Sequence, residues 1–453
     1  MATNKHSYSL YTLTMIVVAN MIGAGVFTSL GFQVLGLSSG YSIIWLWLLG
    51  GIVSLFGAGC YAEVATRLKG SGGEYNFLSK IYNKPIGFSA GWVSFTVGFA
   101  APVAAACIAL GTYFSNSLHI SDVYVGNTLV PVSKIIAVFA LLLLTIFQLV
   151  NKKLGAIFQN ITTTFKIIII VIICAIGFYY LDNKVIASSF GGGIKFPELT
   201  SASFFVSLFF VSYAYSGWNA SAYIAGEIEN PKKNIPRSLI WGTLIVTVLY
   251  ILLNLAFMLV LQFDEIKGQE DVGRIFASKI FGSSIGGFIG LVISILLISS
   301  ISSMIITGPR VTKTMGENHP LFKWFSQSTE TGVPQRAILI QSLISIFFII
   351  TSSFESVIVF IGFTLNIFTL LTVFGLFILR AREKKSASAN DGYKVFGYPF
   401  VPIIFILIYL FMLGFGLVKK PFESIIGLGF ALLGVLIYVL VPNKKLPTPE
   451  ERP

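Results

Sequence analysis

Apolar stretches long enough to cross a membrane fill most of this 453-residue chain. A membrane-spanning helix needs about 20 consecutive, mostly apolar residues. Charged residues make up only 11% of the chain, against about 25% in a soluble globular domain. Because unpaired backbone polar groups are not tolerated in lipid, such stretches fold as helices that satisfy their own backbone. The sequence therefore predicts an all-α integral membrane protein.

Twelve candidate spans can be counted. They lie near residues 10–35, 41–66, 86–116, 132–150, 156–181, 201–226, 238–262, 284–312, 336–353, 356–379, 399–418 and 422–441. Residues 272–282 are expected to form a short amphipathic helix outside the membrane core. We expect one transmembrane domain over residues 1–441 (spans 1–5 over about 10–181, spans 6–10 over about 201–380, spans 11–12 over about 399–441). A cytoplasmic tail over 442–453 follows.

The net charge of +12 does not indicate nucleic-acid binding, because the basic residues alternate between loops. If the N-terminus lies in the cytoplasm, the segments on that side hold 22 Lys and Arg, and those on the other side hold 8. An excess of positive charge is typical of cytoplasmic loops. The pattern predicts a multi-pass protein of the cytoplasmic membrane with both termini in the cytoplasm, in contact with membrane lipid.

The three cysteines, Cys60, Cys107 and Cys174, all fall within predicted spans. Their spacing fits neither a metal site nor a disulfide between loops, so no metal and no disulfide-linked partner subunit is expected. No phosphate-binding, zinc or catalytic-triad motif is present in the sequence. These observations disfavour an enzyme and suggest no cofactor.

Two of the spans are interrupted near their middle. The first interruption is Asn20-Met-Ile-Gly-Ala-Gly-Val-Phe27, and the second is Tyr213-Ala-Tyr-Ser-Gly-Trp-Asn-Ala-Ser221. Glycine-rich breaks free backbone polar groups and are tolerated at membrane depth only when buried in protein or lining a cavity. A pair of breaks in corresponding positions of two halves is typical of a transporter's binding site.

The two breaks also predict an internal repeat. Gly25 and Gly217 are 192 residues apart, which divides the chain into spans 1–5 and spans 6–10. Because five is an odd number, the second half starts on the opposite side of the membrane, and the repeat is inverted. The expected fold is the LeuT-type 5+5 inverted repeat with two additional C-terminal helices.

At the first break, a half-helix that begins after Gly25 offers unpaired N–H groups and the positive end of its dipole. Ile22, Gly23, Ala24 and Gly25 are therefore candidates for binding a carboxylate. The alternative is a small-residue motif for helix packing, and for the first break taken alone it is the favoured one.

The second break has the opposite polarity, since its first half-helix ends near Tyr213 to Ser216. Unpaired carbonyls there suit an ammonium group, so Tyr213, Ala214 and Ser216 are candidate ligands for an amine. Asn219 and Trp218 could shape a side-chain pocket, and Tyr213 could cover it. The alternative is that these aromatic residues only pack. Together the two breaks predict a receptor for a zwitterion such as an α-amino acid.

Lys166 is a cation inside a span, which indicates a functional role. Its ammonium could occupy the place of a sodium ion and connect span 5 with spans 1 and 8. If desolvated, it could also carry a proton. The alternative is a lysine that extends to the headgroups. Ser300 and Ser303 share a face of span 8 and could bind this ammonium or an ion, or simply bond neighbouring helices.

Two further polar residues in spans have structural alternatives. Glu63 ends span 2 one turn before Arg67, which favours a cap or gate pair over a proton carrier. Asn366 lies alone in the apolar tenth span and could face a pocket or bond a neighbouring helix.

Several motifs together resemble the amino acid–polyamine–organocation superfamily. They are Ile22-Gly-Ala-Gly-Val-Phe27, Tyr61-Ala-Glu63, Ser71-Gly-Gly-Glu-Tyr75, Ser216-Gly-Trp-Asn219, Glu227-Ile-Glu-Asn-Pro-Lys-Lys-Asn-Ile-Pro236, Gly308-Pro-Arg310 and Gly316-Glu-Asn318. They follow the family's order over spans 1 to 8. The Gly-Trp-Asn form looks most like the L-type amino acid transporter branch and its bacterial relatives.

This resemblance implies twelve spans and amino acid transport, with the substrate held by the backbone at the two breaks. It also implies that Lys166 lies at the sodium-site position. Ser216 and Tyr213 depart from the smaller residue and the Phe that the family usually has there. We expect a secondary active or exchange transporter, with neutral L-amino acids as first choice because no acid is evident in the pocket. Basic amino acids or polyamines, and an amino acid sensor without net flux, are the alternatives; proton coupling stays open.

Overall fold

The computed structural model describes residues 8–68, 70–125, 128–150, 153–329, 333–386 and 392–441. The predicted tail at 442–453 lies outside the described residues. The α-helices in the described part are α1 (Leu10–Met21), α2 (Gly25–Gln33), α3 (Gly40–Arg67), α4 (Glu74–Ile81), α5 (Lys84–Val93), α6 (Ala100–Ser117), α7 (Val132–Val150), α8 (Lys153–Tyr179), α9 (Asn183–Phe190), α10 (Phe196–Leu199), α11 (Ala202–Tyr215), α12 (Ala220–Tyr223), α13 (Pro231–Val260), α14 (Phe263–Ile266), α15 (Val272–Phe281), α16 (Ser283–Asn318), α17 (Gln335–Thr351), α18 (Phe354–Ser386), α19 (Phe400–Lys419) and α20 (Pro421–Leu440).

Ten helical segments among the described residues are long and apolar enough to span a membrane. They are α1 with α2, α3, α5 with α6, α7, α8, α13, α16, α18, α19 and α20. The shorter apolar helices α11 and α17 occupy the positions of the predicted sixth and ninth spans. The α11 helix ends at Tyr215 because the chain breaks there. The helical, multi-pass membrane architecture is thus confirmed, and a count of twelve depends on these two shorter helices.

Polar residues at the helix starts explain several boundaries. The side chain of Ser9 accepts a hydrogen bond from the Thr12 amide (3.3 Å), and Ser201 accepts one from the Phe204 amide (3.2 Å). Asn83 does the same for α5. Such caps satisfy amides that have no acceptor within the first helical turn.

Two elements lie outside the spans. The predicted amphipathic helix at 272–282 is present as α15. An antiparallel pair of short strands, β1 (Val123–Val125) and β2 (Thr128–Val130), was not predicted and adds a little β-structure to the expected all-α fold. Val123 lies opposite Val130, and this stretch of β-branched residues between two spans favours a hairpin.

The chain start identifies one side of the bundle, which we call the N-terminal side. Tyr8, just before α1, forms a parallel bridge with Ile228. On the same side, the Gly226 amide donates to Ser71 Oγ (3.1 Å), and the Gly72 amide donates to the Tyr223 carbonyl (3.2 Å). The loop before α4 therefore packs against the end of the second broken span. We call the opposite side the far side.

Candidate functional site

The first break separates α1 from α2. The α1 helix ends at Met21 and α2 begins at Gly25. Within the described part of the chain, the amides of Ala24, Gly25 and Val26 have no backbone acceptor. These are the unpaired donors that the sequence predicts at the start of a half-helix.

Lys166 lies beside this break and is only 1% exposed. Its Nζ donates to the Ile22 carbonyl (2.8 Å) and to Ser300 Oγ (2.6 Å), and Ser300 Oγ also lies 2.8 Å from the Ile22 carbonyl. Lys166 thus joins α8 to the first break and to α16. Ser303 does not belong to this cluster; its carbonyl accepts a bond from Thr307 instead.

The second break follows α11. Gly217 adopts a φ of +97°, a conformation that other residues rarely adopt. Of the predicted amine ligands, the Tyr213 carbonyl accepts from the Ser216 amide (2.9 Å) and the Ala214 carbonyl accepts from Tyr250 Oη (3.0 Å). Each carbonyl oxygen has a second lone pair, so both can still accept from a ligand.

The two breaks cross in direct contact. A Cβ added at Gly25 would lie 2.6 Å from the Cα of Ala214, and a Cβ at Gly217 would lie 2.8 Å from the backbone of Asn20. Close packing against Ala214 is therefore sufficient to explain why residue 25 is a glycine. Gly23 differs, since the nearest atom to a Cβ there would be 3.9 Å away.

Tyr250, which the sequence analysis missed, holds the crossing together. Its hydroxyl lies 2.6 Å from the Met21 carbonyl and 3.0 Å from the Ala214 carbonyl, one on each broken span. It is fully buried on α13. A tyrosine in the middle of an apolar span was the available sign, because a buried hydroxyl needs a partner.

A cavity adjoins the crossing and extends towards the N-terminal side as far as Glu74 and Tyr223. Its atom-free space amounts to about 990 Å³, a volume that includes open solvent. Three of the predicted substrate-binding residues, Tyr213, Ser216 and Asn219, line it. The polar part of the wall also includes Asn20, Ser94, Ser212, Thr307, Asn366 and Thr369. Ile22 to Gly25 and Ala214 lie outside this lining.

Glu74 overturns one step of the sequence argument, the statement that no pocket position carries an acid. It is 6% exposed and lies on the cavity wall. Its carboxylate accepts hydrogen bonds from Tyr61 Oη (2.8 Å), Asn219 Nδ2 (3.0 Å) and Tyr223 Oη (2.5 Å). The residue follows three glycines with positive φ, which carry the chain through a tight turn into α4 and bring it under the cavity.

Aromatic rings close the far side of the cavity. Phe32 stacks on Phe210 and on Phe354, with ring centroids 5.4 and 5.8 Å apart, and Tyr213 meets Phe354 edge to face. Further out, the Gly268 amide donates to the Gly31 carbonyl (2.8 Å). Tyr213 therefore belongs to an aromatic layer between the cavity and the far side.

Glu63 forms a buried ion network on the N-terminal side. It pairs with Arg67, as the spacing predicts, and also accepts two hydrogen bonds from Arg380 (2.8 and 2.7 Å) and one from the Val395 amide (2.7 Å). The Arg380 guanidinium lies 3.7 Å from the centre of the Tyr398 ring. Glu63 thus connects the end of α3 to the end of α18 and to the segment before α19.

Asn366 and Trp218 both lie on the cavity wall and both contact neighbouring helices. Asn366 Oδ1 accepts from Ser212 Oγ (3.3 Å), and its Nδ2 has no partner among the described residues. The Trp218 ring packs edge-on against Tyr61, with centroids 4.8 Å apart. Each of these two residues therefore both lines the cavity and packs against a neighbouring helix.

Two broken helices that cross beside a cavity within a bundle of membrane helices define a secondary transporter for a small molecule. Comparison with known families agrees with this class. A family model described as amino acid permease matches residues 8–441. The chain belongs to this family, which confirms the resemblance found in the sequence and identifies a membrane transporter rather than an enzyme.

Similar curated proteins span nearly the whole chain. The serine/threonine exchanger SteT of Bacillus subtilis (strain 168) is 29% identical over 449 residues, covering 96% of each chain. The mouse b(0,+)-type amino acid transporter 1 is 27% identical, covering 94% of this chain and 85% of the relative. The mouse large neutral amino acids transporter small subunit 2 is 27% identical, covering 96% and 81%.

Proposed function

We propose that this transporter moves neutral L-amino acids by alternating access and binds them where the two breaks cross. The observation that carries the proposal is that one break offers backbone hydrogen-bond donors and the other offers acceptors. Amides at Ala24 and Gly25 without a backbone acceptor suit the substrate carboxylate, and the carbonyls of Tyr213 and Ser216 suit its amino group.

Two of the relatives, a serine/threonine exchanger and a large neutral amino acids transporter subunit, support an amino acid as the substrate. The polar cavity wall agrees with a small substrate side chain. Seryl, threonyl and amide groups there can bind a polar side chain without imposing a charge.

Lys166 supports transport that needs no sodium. Its ammonium lies between two oxygen atoms, the Ile22 carbonyl and Ser300 Oγ, of the kind that bind a sodium ion. A fixed cation at that position repels a second one. Exchange and proton symport are the modes that agree with this geometry, and a proton gradient distinguishes them.

A basic amino acid or polyamine carrier is the second candidate, and Glu74 favours it. This carboxylate lies on the cavity wall and pairs with no described lysine or arginine. Its oxygens already accept three hydrogen bonds from neutral donors, which leaves little room for a ligand ammonium. Neutral substrates therefore remain the preferred proposal.

The proposed location is the cytoplasmic membrane, with the N-terminal side in the cytoplasm. The excess of Lys and Arg in the loops of that side supports this orientation. The protein is also proposed to act without a disulfide-linked subunit. Cys60, Cys107 and Cys174 are all buried in helices, where a partner's cysteine cannot reach them.

Counterflow in proteoliposomes tests the proposed substrate. Vesicles preloaded with one amino acid are assayed for uptake of labelled threonine or leucine against a panel of all twenty amino acids and putrescine. Competition by neutral amino acids is the expected result, unchanged when choline replaces sodium. Uptake of arginine or putrescine alone would select the second candidate. Binding without flux would indicate an amino acid sensor.

A further inference from the structure

The buried carboxylate of Glu74 contacts a residue of the proposed substrate site. Its Oε1 accepts from Tyr61 Oη on α3 and from Asn219 Nδ2 in the second break, and its Oε2 accepts from Tyr223 Oη on α12. The Glu74 side chain at the start of α4 thus accepts hydrogen bonds from three other parts of the fold. Only one of these donors, Asn219, lies in the predicted substrate site.

A carboxylate determines which way the Asn219 amide is oriented. An ionised carboxylate is an acceptor only, so Asn219 must present its NH₂ group to Glu74. The reverse orientation would place Asn219 Oδ1 against a carboxylate oxygen. The second contact of the amide, to Tyr223 Oη at 3.4 Å, also involves Nδ2. Among the described residues no donor reaches Asn219 Oδ1, and Asn219 lines the cavity.

We propose that Glu74 is a positioning residue that makes Asn219 show an acceptor to the substrate, so that the site prefers amino acids whose side chain carries a hydrogen-bond donor. This inference rests on the proposed transport of neutral amino acids and narrows their class to hydroxylated side chains. Threonine can donate its hydroxyl proton to Asn219 Oδ1. Valine has nearly the same shape but leaves that oxygen without a donor, a loss that corresponds to about tenfold in transport efficiency.

The test compares threonine with valine. Labelled uptake into proteoliposomes gives kcat/KM for both substrates in the wild type and in Glu74→Gln. Gln keeps the size of the side chain but offers its own NH₂ group, so the Asn219 amide is free to turn. The wild type is expected to prefer threonine by about tenfold, and Glu74→Gln to bring the ratio within about twofold while valine uptake persists.

Tyr61→Phe is the matched control. It removes another hydrogen bond to Glu74 (2.8 Å), makes none to Asn219 and leaves the bond between Glu74 and Asn219 intact, so the threonine-to-valine ratio is expected to stay at the wild-type value. Asn219→Ala removes the acceptor itself and should abolish the preference. It provides an independent test if Glu74→Gln does not fold, as judged by size-exclusion chromatography.

Three results would overturn the inference. They are a wild type that transports threonine and valine equally well, an Asn219→Ala protein that keeps the preference, and a Glu74→Gln protein that loses both activities in equal proportion. The last would assign Glu74 a structural role only. A wild type that transports no neutral amino acid would instead refute the proposed function, and this inference with it.

Discussion

The ammonium of Lys166 lies 2.8 Å from the carbonyl oxygen of Ile22, the residue that directly follows α1. Ile22 can offer that carbonyl because the break removes its helical partner. The position of a charged residue in α8 and the interruption of the first span are therefore parts of one structural unit.

Lys166→Ala is expected to reduce counterflow by about ten- to a hundredfold, because it leaves the Ile22 carbonyl and Ser300 Oγ with one donor fewer in a buried place. Uptake is measured between pH 5 and 8. The control is Lys134→Ala, which also removes a lysine bonded to two carbonyls (3.0 and 3.2 Å) but on a half-buried surface. Unchanged flux at every pH would contradict the proposed role of Lys166.

Gly25→Ala is expected to abolish substrate binding, whereas Gly23→Ala should retain it. The added Cβ meets the Ala214 backbone at 2.6 Å in the first variant and nothing closer than 3.9 Å in the second. Substrate binding by both variants is measured in detergent, as the rise in melting temperature on adding substrate. Equal behaviour of the two variants would show that the close crossing is not needed for binding.

Tyr250→Phe is expected to lower thermal stability and transport together. The substitution removes a hydroxyl bonded to one carbonyl on each broken span, and the lost bonds are worth about 1–3 kcal/mol. Tyr11→Phe serves as control, since Tyr11 is 60% exposed. A Tyr250→Phe protein as stable and active as the control would mean that the crossing holds without this residue.

Glu63→Gln is expected to destabilise the protein by about 2–4 kcal/mol, because Arg380 loses its carboxylate and Arg67 keeps only Glu383. Glu63 is fully buried between Arg67 and Arg380. The control Glu317→Gln alters an exposed pair with Lys313 at 3.9 Å and should have little effect. The melting temperatures of the Glu63→Gln and Glu317→Gln proteins are measured by size-exclusion chromatography after heating. Equal melting temperatures would contradict the prediction.

Glu270 introduces a pH dependence on the far side, outside the spans. Burial raises the pKa of this carboxyl, although Thr112 donates a hydrogen bond to it (2.9 Å). The folded state therefore holds the proton more tightly than the unfolded state. Its stability contribution should be lost as pH rises from about 4.3, the ordinary value, through the raised pKa of the folded state.

Glu270→Gln should remove this part of the pH dependence, as measured by melting temperature between pH 4 and 7. The control is Glu265→Gln, which changes an exposed carboxylate paired with Lys279. A wild type and a Glu270→Gln variant with parallel profiles would show that Glu270 does not titrate in that range.

The sequence was sufficient to locate the helices and both breaks, because apolar length and glycine placement depend on local chemistry. The contact of Lys166 with the first break also follows from a local rule, that a cation in a span needs oxygen partners. Ser303 shows the limit of such reasoning. It shares a helical face with Ser300, yet only Ser300 reaches the ammonium.

Glu74 and Tyr250 could not be assigned from the sequence for a different reason. Their partners lie far along the chain, at Asn219 and at Met21 with Ala214. Glu74 is also the first residue of a helix that follows a polar loop, where an exposed position is the ordinary expectation. Only the folding of that glycine-rich loop beneath the cavity turns it into a buried residue.

The paired contacts of the two breaks restrict how the transporter can move. At Gly25 the start of α2 contacts Ala214 near the end of α11, and at Gly217 the second break contacts Asn20 near the end of α1. Because no side chain separates the backbones at either point, a shift of one broken span has to be accommodated by the other. The segments between α1 and α2 and between α11 and α12 are not helical, so a bend at either one would leave all four half-helices intact.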